Sequence, residues 1–336
     1  MTVDTATAPM PRIEGPGLPD RGAPGYPSVS VVICAYTDAR RGDLRRACES
    51  VQRQLQPDDE LIVVIDHNDT LLTWAACTLT GVRVLASTGR PGLSGARNTG
   101  VATSGRDVVA FLDDDAIARP GWLDALRDVL RDEAVSAVGT QVLPRWVGGR
   151  PPRWFPEEFG WVVGCGYLGL PTRRSVIRNP IGASMAVRRS AFGVAGAFSD
   201  LVGRVGALPV GCEETEFCIR VSKALPDTIV VHEPDAAVDH TVPFTRQTVR
   251  YFLRRCYHEG RSKWAVTQLS GARAGLAAER RYVRSVLPRG VLRGLGQGVR
   301  RLDVFALAKA GAIVAGLTAT VAGYTCAAGV DKVKGR

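Results

Sequence analysis

Four apolar runs rich in β-branched residues recur between residues 28 and 115, and this pattern restricts the fold more than any other feature. The runs read "SVSVVICAY", "ELIVVID", "VRVLAS" and "DVVAFLDDD". Continuous apolar runs, as opposed to alternating ones, are typical of strands buried on both faces of a parallel sheet. Segments with helical spacing lie between them, at 43–55, 71–79 and 93–103. The alternation predicts a doubly wound, mostly parallel, Rossmann-like α/β sheet with right-handed crossovers.

The pattern changes after the fourth run. Helices are predicted at 120–130 and 212–225, a strand at 136–143, and two short strands within "TIVVHEPDAAVDH". The segment 144–180 is rich in proline and glycine and holds three of the six tryptophans, so we expect a long ordered loop and not core. A glycine-punctuated loop is expected at 203–211.

The two ends of the chain differ from its centre. Residues 1–27 are rich in proline and glycine and lack the basic start and apolar centre of a signal peptide, so they are predicted to be a disordered leader. Residues 28–245 form the predicted α/β domain, and 246–336 form a basic, helical C-terminal region. Eight scattered cysteines without a CxxC pair favour a reducing, cytoplasmic location.

The C-terminal region has the composition of a membrane-associated segment. Residues 273–301 contain eight arginines and one acid, Glu279, and the next stretch, 310–330, contains no charge. Twenty-one residues are long enough to span a bilayer, but alanine, glycine and threonine dominate this stretch. We therefore expect peripheral or shallow attachment to the anionic inner face of the cell membrane, with a helix packed in a soluble protein as the alternative.

The net charge of +10 suits an acidic partner such as nucleotide phosphates, nucleic acid or an anionic membrane. The chain has no zinc-finger spacing, no RNA-binding aromatic signature and no clear helix-turn-helix pattern, so no nucleic-acid partner is expected.

Three consecutive carboxylates, Asp113, Asp114 and Asp115, end the fourth strand. A solvated turn explains one or two acids at such a place, but three adjacent carboxylates repel one another unless a cation lies between them. Carboxylate clusters suit Mg²⁺ or Mn²⁺, which commonly bridge to substrate phosphates. Ligands bind at the C-terminal ends of parallel strands, where Asp66 also lies. The sequence therefore predicts a metal–nucleotide site, with the acids in mutual repulsion when no metal is bound.

Taken together, "SVSVVICAY", "ELIVVID", "GLSGARNTGVATSGRDVVAFLDDDA" and "GCEETEFCIR" resemble the motifs of family 2 glycosyltransferases, in that family's order. The resemblance covers about residues 28 to 245 and implies a GT-A fold. It further implies a nucleotide-sugar donor, a divalent metal and an inverting transfer to a hydroxyl acceptor, which is a glycan, a lipid-linked molecule or a small molecule. We expect the donor to be a UDP-sugar and the segments 144–180 and 203–211 to form the acceptor side of the site.

The resemblance also assigns the donor side of the site. It implies that Asp115 ligates the metal, while Asp113 or Asp114 contacts the ribose or assists the metal. Four further donor-side positions are Ala35 and Tyr36 beside the base, Asp66 bonded to the base, and His240 as a possible additional metal ligand. Read alone, Asp66 fits a helix N-cap and His240 fits a structural or exposed histidine.

The motif "GARNTG" leaves two interpretations open. Arg97 either lies near the pyrophosphate or is simply exposed on its helix, and Asn98 can hydrogen-bond toward the strand end.

The motif "CEETEF" is expected to supply the catalytic base. Transfer needs a carboxylate that removes the proton of the acceptor hydroxyl as its oxygen attacks the sugar. The resemblance implies that Glu214 is this base and that Glu213 binds the acceptor or lies beside it. The family usually has Glu-Asp here, so either glutamate remains open as the base; favourable charge at a helix N-terminus is the alternative.

Two other functions remain possible from the sequence. A nucleotidyltransferase also combines an α/β sheet with metal-binding acids, but "CAYTDARRGD" lacks the glycine-rich loop expected after its first strand. A catalytically silent, membrane-associated nucleotide-binding or scaffold protein is the third candidate, and the acids at both sites argue against it.

Overall fold

The computed structural model describes residues 25–199, 211–271 and 277–334. Residues 1–24 of the predicted leader and 203–210 of the predicted glycine-punctuated loop lie outside these ranges. The strands are β1 (Val29–Ala35), β2 (Glu60–Ile65), β3 (Arg83–Ala86), β4 (Val108–Asp113), β5 (Ala116–Ala118), β6 (Val135–Trp146), β7 (Ser175–Ile177), β8 (Ser184–Arg188) and β9 (Ile229–Val242).

Helices alternate with the first strands and then form the C-terminal region. They are α1 (Arg41–Gln52), α2 (Asp69–Thr78), α3 (Leu93–Thr103), α4 (Trp122–Val129), α5 (Arg189–Ala195), α6 (Glu213–Ala224), α7 (Val249–Ser270), α8 (Ala277–Arg281), α9 (Leu287–Arg301) and α10 (Val304–Lys334). Short 3₁₀ segments lie at Asp38–Arg40, Glu157–Val163 and Phe244–Arg246, and a π-helical turn joins α8 to α9.

The described strands form one sheet in the order β3-β2-β1-β4-β8-β6-β9-β5, with β7 also paired to β9. The half made of β3, β2, β1 and β4 is parallel, as the sequence predicts. In the other half only β6 and β9 are parallel, while β8, β5 and β7 pair antiparallel. The α/β fold of this type is confirmed, but the sheet is mixed where mostly parallel pairing was expected.

The continuous apolar strands are explained by burial on both faces of the sheet. Along β1, Val29, Val31 and Ile33 enter one core cluster, which α1, α2 and α4 cover. Val32 enters the second cluster on the opposite face with Phe111 of β4, where α3, α5 and α6 pack. Because apolar neighbours lie above and below, burial of every side chain of such a strand stabilises the folded state.

The segment 144–180 is more ordered and more buried than predicted. β6 continues to Trp146, and Phe155 and Phe159 are buried in the core cluster. Both phenylalanine rings lie within 6 Å of the ring of Phe252 in α7. The prediction of a loop outside the core is wrong because these aromatic side chains are covered by a helix about 100 residues away in the sequence.

The strand β9 also differs from the prediction. Two short strands were expected, but Ile229–Val242 is one strand of 14 residues. Its register against β6 shifts between Thr140 and Gln141, where residues 234–236 bulge out. Pro234 and Asp235 lie in this bulge and Glu233 directly precedes it, and together they give the sequence the appearance of an interruption.

The C-terminal helices pack through close backbone contacts. A Cβ atom placed on Gly260 of α7 would lie 1.9 Å from the carbonyl oxygen of Thr320, and one on Gly323 of α10 would lie 1.9 Å from that of Tyr257. Within α10, the stretch Val304–Val330 is long and apolar enough to cross a membrane, with a mean hydropathy of 1.8. Only 22% of its most apolar part is buried in the protein.

Candidate active site

The C-terminal ends of β1, β2 and β4 meet at one edge of the sheet and form a small pocket. The backbone NH of Asp66 donates to the carbonyl oxygen of Ala35 at 2.8 Å, which holds the two strand ends together. The pocket is lined by Cys34, Ala35, Tyr36, Arg40, Asp66, Gly92, Leu93, Ala96, Asp113 and Asp114. The edge therefore brings together five of the residues predicted for the donor side.

The carboxylate of Asp66 is oriented by two contacts. One oxygen accepts a hydrogen bond from the backbone NH of Gly92 at 2.8 Å, and the other lies 2.8 Å from Nδ1 of His67. Gly92 has φ of +130°, a conformation that favours glycine, and α3 begins directly after it. The N-cap of α2 is Asn68 and not Asp66, so the alternative interpretation of Asp66 as a helix cap is wrong.

A cluster of three potential metal ligands lies beside this pocket. The cluster consists of Asp113, Asp115 and His240, and each offers one ligand atom. These three atoms all lie within 4.8 Å of one another. Nε2 of His240 is 3.1 Å from Asp115 and 3.8 Å from Asp113. The antiparallel pairing of β5 with β9 creates this approach, because it places Ala116 opposite His240.

The cluster fits a divalent cation by its chemistry. Two carboxylates and one imidazole form a hard donor set with one borderline nitrogen, which suits Mn²⁺ and also Mg²⁺. Within the described part of the chain, Oδ2 of Asp114 is buried and has no hydrogen-bond partner, so a further oxygen acceptor is present next to the cluster.

Two arginines that the sequence interpretation missed neutralise part of the acidic charge. Arg40 lies 2.6 Å from Asp114 and 3.1 Å from Asp115, and Arg246 lies 3.7 Å from Asp115. The expected repulsion is present, because the charges of Asp115 and Asp113 contribute to the raised pKa of Asp114, but the two arginines offset part of it. Arg40 lies in "TDARRGD" directly after β1, and its position beside a predicted strand end is the signal that could have identified it.

The contacts within the cluster shift the pKa values in opposite directions. Burial raises the pKa of Asp114 to about 7 despite the nearby Arg40. Burial would also raise the pKa of Asp115, but His240, Arg40 and Arg246 outweigh it and lower the pKa below its ordinary value. Burial would lower the pKa of His240, but Asp115 outweighs it and the pKa rises to about 10. In this arrangement protonated His240 supplies a positive charge next to Asp115. Its ring must lose the proton before it can ligate a metal.

The proposed catalytic glutamates begin α6 close to the cluster. Cys212 precedes them with φ of +79°, a left-handed conformation that is strained for a side chain of this kind. Oε1 of Glu213 accepts a hydrogen bond from Arg97 at 3.0 Å, and its Oε2 is buried with no hydrogen-bond partner among the described residues. Glu214 is only partly buried, and burial followed by the charge of Glu213 raises its pKa to about 7.

Arg97 connects the two acidic groups of the site. Its guanidinium lies 3.0 Å from Glu213 and 3.7 Å from Asp113, and it donates to the carbonyl oxygen of Gly182 at 2.9 Å. Only 2% of Arg97 is exposed, so the interpretation of an exposed arginine is wrong.

The predicted site residue Asn98 belongs neither to the lining of the small pocket nor to the metal cluster. Its side-chain amide donates to the carbonyl oxygen of Phe198 and its oxygen accepts from the NH of the same residue, both at 2.9 Å. These two bonds fix the chain around Phe198 and direct the side chain of Asn98 away from the strand end.

A larger cleft of about 1000 Å³ extends from the acidic cluster toward the C-terminal helices. Asp113, Glu213, Glu214 and His240 line its polar part. Phe159, Trp161 and Tyr167 come from the segment predicted to form the acceptor side. Residues of α7 and α10 also line the cleft, and the sequence interpretation did not anticipate them because it treated these helices as a separate region.

Comparisons with known proteins agree with this arrangement. The model of glycosyl transferase family 2 matches residues 30–194. The chain is 32% identical over 240 residues to the glucosyl-dolichyl phosphate glucuronosyltransferase of Haloferax volcanii, covering 70% of this chain and 76% of that protein. It is 24% identical over 313 residues to the succinoglycan biosynthesis protein ExoM of Rhizobium meliloti, covering 82% and 95%.

A solved structure supports the fold. The mannosyltransferase of Pyrobaculum calidifontis, in complex with GDP-Man and Mn²⁺, matches with a TM-score of 0.53 at 15% identity, covering 88% of this chain and 87% of that one. Because the family match and the first relative are both glycosyltransferases, sugar transfer is favoured over nucleotidyl transfer and over a silent scaffold. The chain belongs to glycosyl transferase family 2, and it is a glycosyltransferase with a GT-A fold and a site for a divalent metal.

Proposed function

We propose that this protein is an inverting, metal-dependent glycosyltransferase that uses a UDP-sugar donor. The observation that carries the proposal is the position of Arg97 between Asp113 of the metal cluster and Glu213 beside the proposed base. This arrangement brings a diphosphate site and a proton acceptor to the same end of the cleft, as a single displacement requires.

The donor base is proposed to lie in the small pocket between Tyr36 and Asp66. Tyr36 follows β1 and its hydroxyl accepts a hydrogen bond from Arg40 at 3.2 Å, so the ring is held at the pocket wall. The oriented carboxylate of Asp66 is suited to accept from an NH of the base. The pocket is formed by ten residues, and we propose that this small size favours the single ring of uracil over a purine.

The residues proposed to hold the metal are Asp113, Asp115 and His240, with Asp114 directed to the ribose. The imidazole nitrogen favours Mn²⁺ over Mg²⁺, because Mg²⁺ is bound mainly through oxygen. A divalent cation bound here supplies electrostatic stabilisation of the negative charge on the leaving diphosphate. Arg97, which is buried and 3.7 Å from Asp113, adds a fixed positive charge on the same side.

Glu214 is proposed as the catalytic base. Glu213 is bound to Arg97, and an arginine-bound carboxylate is a weak proton acceptor, whereas the pKa of Glu214 is raised to about 7 by burial and by Glu213. A base with a pKa near the working pH is the most effective. Glu213 is proposed to accept a hydrogen bond from the acceptor through its unpartnered Oε2.

The reaction is a direct displacement. The acceptor oxygen forms a bond to C1 of the sugar, its proton moves to Glu214, and the bond from C1 to the diphosphate oxygen breaks with its electron pair leaving on the diphosphate. One displacement inverts the configuration at C1.

The GT-A unit is proposed to comprise residues 28–245, and residues 246–336 are proposed both to complete the cleft, through α7 and α10, and to attach the protein to the cytoplasmic face of a membrane. All eight cysteines lie in described parts of the chain and are free thiols, which supports a reducing compartment. The largely exposed apolar helix α10 supports membrane attachment.

A mass-spectrometric screen of UDP- and GDP-sugars tests the proposal. We expect Mn²⁺-dependent release of UDP from at least one UDP-sugar and loss of that release in Asp115→Ala. Asp239→Asn is the matched control, because this carboxylate is on β9 next to His240 but is partly exposed and bound to Arg119. Equal hydrolysis with a chelator present, or release from GDP-sugars alone, would contradict the proposed metal role or donor.

A further inference from the structure

The large cleft has a polar end at the sheet edge and an apolar wall in the C-terminal helices, which also contribute the paired charges of Glu259, Lys263 and Glu279 to its lining. The polar end is formed by the acids and His240 at the sheet edge. The apolar wall is formed by the turn before α9, by the start of α9 and by α10, and its members are Val283, Val286, Leu287, Leu317 and Val321. A ligand that fills this cleft therefore has a polar head near Glu214 and an apolar part along α10.

Polar atoms without partners lie on the head side of the cleft. Among the described residues, Nε2 of His232 and Oε2 of Glu213 are buried, line the cleft and make no hydrogen bond. Burial lowers the pKa of His232, so its ring is neutral at pH 7 and can exchange hydrogen bonds with hydroxyl groups. Such atoms fit a head group with several hydroxyls, because a buried polar atom left without a hydrogen bond is unfavourable.

The apolar wall continues onto the protein surface. Val321 lines the cleft and is also 53% exposed on the outer face of α10, where Val304, Leu307 and Val314 are exposed as well. On the neighbouring helix α9 the exposed large apolar residues are Leu292, Leu295 and Val299, and Leu302 at its C-cap is exposed as well. We call the exposed apolar residues of these two packed helices the α9–α10 face.

The charges around the α9–α10 face indicate what covers it. Arg284, Arg289, Arg300 and Arg301 are exposed in and beside α9, and the described part of this segment from 282 to 302 contains no acidic residue. An amphipathic helix with an apolar face and arginines on its polar side is typical of a helix lying in the interface of an anionic bilayer. Each arginine near such a surface is attracted by the negative potential of the anionic lipids.

The helix packing fixes the cleft relative to this face. Gly294 and Gly298 of α9 approach α10 closely, since a Cβ on Gly294 would lie 2.8 Å from the carbonyl oxygen of Ala306 and one on Gly298 would lie 2.3 Å from Leu307. α10 in turn contacts α7 through Gly260 and Gly323. A bilayer in contact with the α9–α10 face therefore lies next to the apolar wall of the cleft.

We propose that the acceptor is a lipid-anchored glycan whose hydrocarbon chain runs along α10 into an anionic bilayer bound at the α9–α10 face. The inference rests on the proposed function, because the head must present a hydroxyl to Glu214. The shape and chemistry of the cleft then select an amphipathic acceptor over a free sugar or a small polar molecule.

Photocrosslinking tests the path of the chain in the full-length protein. The probe is a dodecyl β-glucoside with a diazirine in its alkyl chain, used below its micelle concentration, and its ethyl homologue is the control ligand. We expect crosslinks at 283–287 and 317–321, with at least fivefold lower yield from the ethyl homologue. Crosslinks confined to residues 292–302, or equal yields from the two probes, would overturn the proposal.

Matched variants separate the cleft from the outer face. Val283→Gln and Val321→Gln change partly exposed cleft residues, so folding is preserved, and we expect them to lower the crosslink yield at least fivefold. Leu292→Gln with Leu295→Gln changes exposed residues of α9 that do not line the cleft; this pair should retain the crosslink. It should instead reduce co-sedimentation with phosphatidylglycerol vesicles at least fivefold.

Vesicle binding and donor hydrolysis test the two parts of the proposal separately. Equal binding of the unsubstituted protein to phosphatidylcholine and phosphatidylglycerol vesicles, or unchanged binding of the α9 pair, would overturn docking on an anionic bilayer. Donor hydrolysis by the unsubstituted protein is measured separately without any acceptor. Hydrolysis with no cleft crosslinks would disprove the lipid acceptor alone, whereas absence of hydrolysis would disprove the proposed function.

Discussion

Nη1 of Arg97 lies 3.0 Å from Oε1 of Glu213, and this buried ion pair joins α3 to the start of α6. The same guanidinium lies 3.7 Å from Asp113. One side chain thus sets the separation between the acid of the metal cluster and the glutamates of α6. Because both partners are buried, neither charge is compensated by water if the other is removed.

The first prediction concerns this ion pair. Arg97→Met should destabilise the protein by about 3–5 kcal/mol, because Glu213 is left as an uncompensated buried charge. The double variant Arg97→Met with Glu213→Gln should recover part of that loss. Urea unfolding of the two single variants and the double variant measures the coupling. Additive free energies in this cycle would show that the contact carries no interaction energy.

The second prediction concerns the metal cluster. Asp115→Asn should lower Mn²⁺ affinity at least tenfold, because it removes a charged ligand that faces His240 at 3.1 Å. Calorimetric titration of Mn²⁺ in the presence of UDP measures the affinity. Asp239→Asn should bind Mn²⁺ like the unsubstituted protein. A similar loss in both variants would mean that the effect comes from general charge and not from ligation.

The third prediction is the pH dependence of transfer. Burial and the charge of Glu213 raise the pKa of Glu214 to about 7, and only its ionised form accepts a proton. The rate should therefore fall about tenfold for each unit of pH below 7. Glu213→Gln removes the largest charge that raises this pKa, so the acid limb should move to lower pH. An unshifted limb in that variant would exclude Glu214 as the titrating base.

The same raised pKa has a consequence for stability. The folded state disfavours the ionised form of Glu214, so its unfavourable contribution is absent below the ordinary pKa of 4.5 and complete above about 7. Glu214→Gln should therefore raise the melting temperature at pH 8 and leave it unchanged at pH 4.

The same variant, Glu214→Gln, should also lower the rate of sugar transfer by about 10²–10⁴-fold, with the affinity for the donor retained.

The fourth prediction concerns the packing of α10. Gly323→Ala places a methyl group 1.9 Å from the carbonyl oxygen of Tyr257, so α10 must move away from α7. We expect a lower melting temperature and faster proteolysis of the C-terminal region. Gly329→Ala in the same helix meets no atom within 4 Å and should be neutral or stabilising, by up to about 1 kcal/mol from helix propensity. Equal stability of the two variants would show that the close contact is not required.

Periodicity along the chain predicts the parallel half of the sheet well, because each strand is buried on both faces and its pattern is local. The bounds of α3 agree with the prediction at both ends. Arg40 and Arg246 were missed because each lies in a short 3₁₀ segment, and no periodic pattern indicates where such a side chain points. Asn98 was expected to hydrogen-bond toward the strand end, but it points about 100° away from Arg97 on the helix and binds Phe198 instead.

The aromatic residues of 144–180 show a second limit of sequence interpretation. Their composition resembles that of an exposed recognition loop, and only the position of Phe252 in α7 decides that Phe155 and Phe159 are buried. The partner of an apolar surface is determined by the tertiary fold, so the predicted separation of the C-terminal region from the cleft could not be tested on sequence alone.

The strand β9 carries His240 of the metal cluster at one end and His232 of the acceptor cleft at the other. Against β6 these residues pair with Pro144 and Gly139, which are five positions, or about 17 Å, apart. Both residues pair with β6, on either side of the bulge at 234–236, so the separation between the proposed metal ligand and this wall of the cleft is set by a hydrogen-bonded pair of strands. The backbone of β9 therefore sets how long the head group of the proposed acceptor must be to reach from His232 to the reacting carbon.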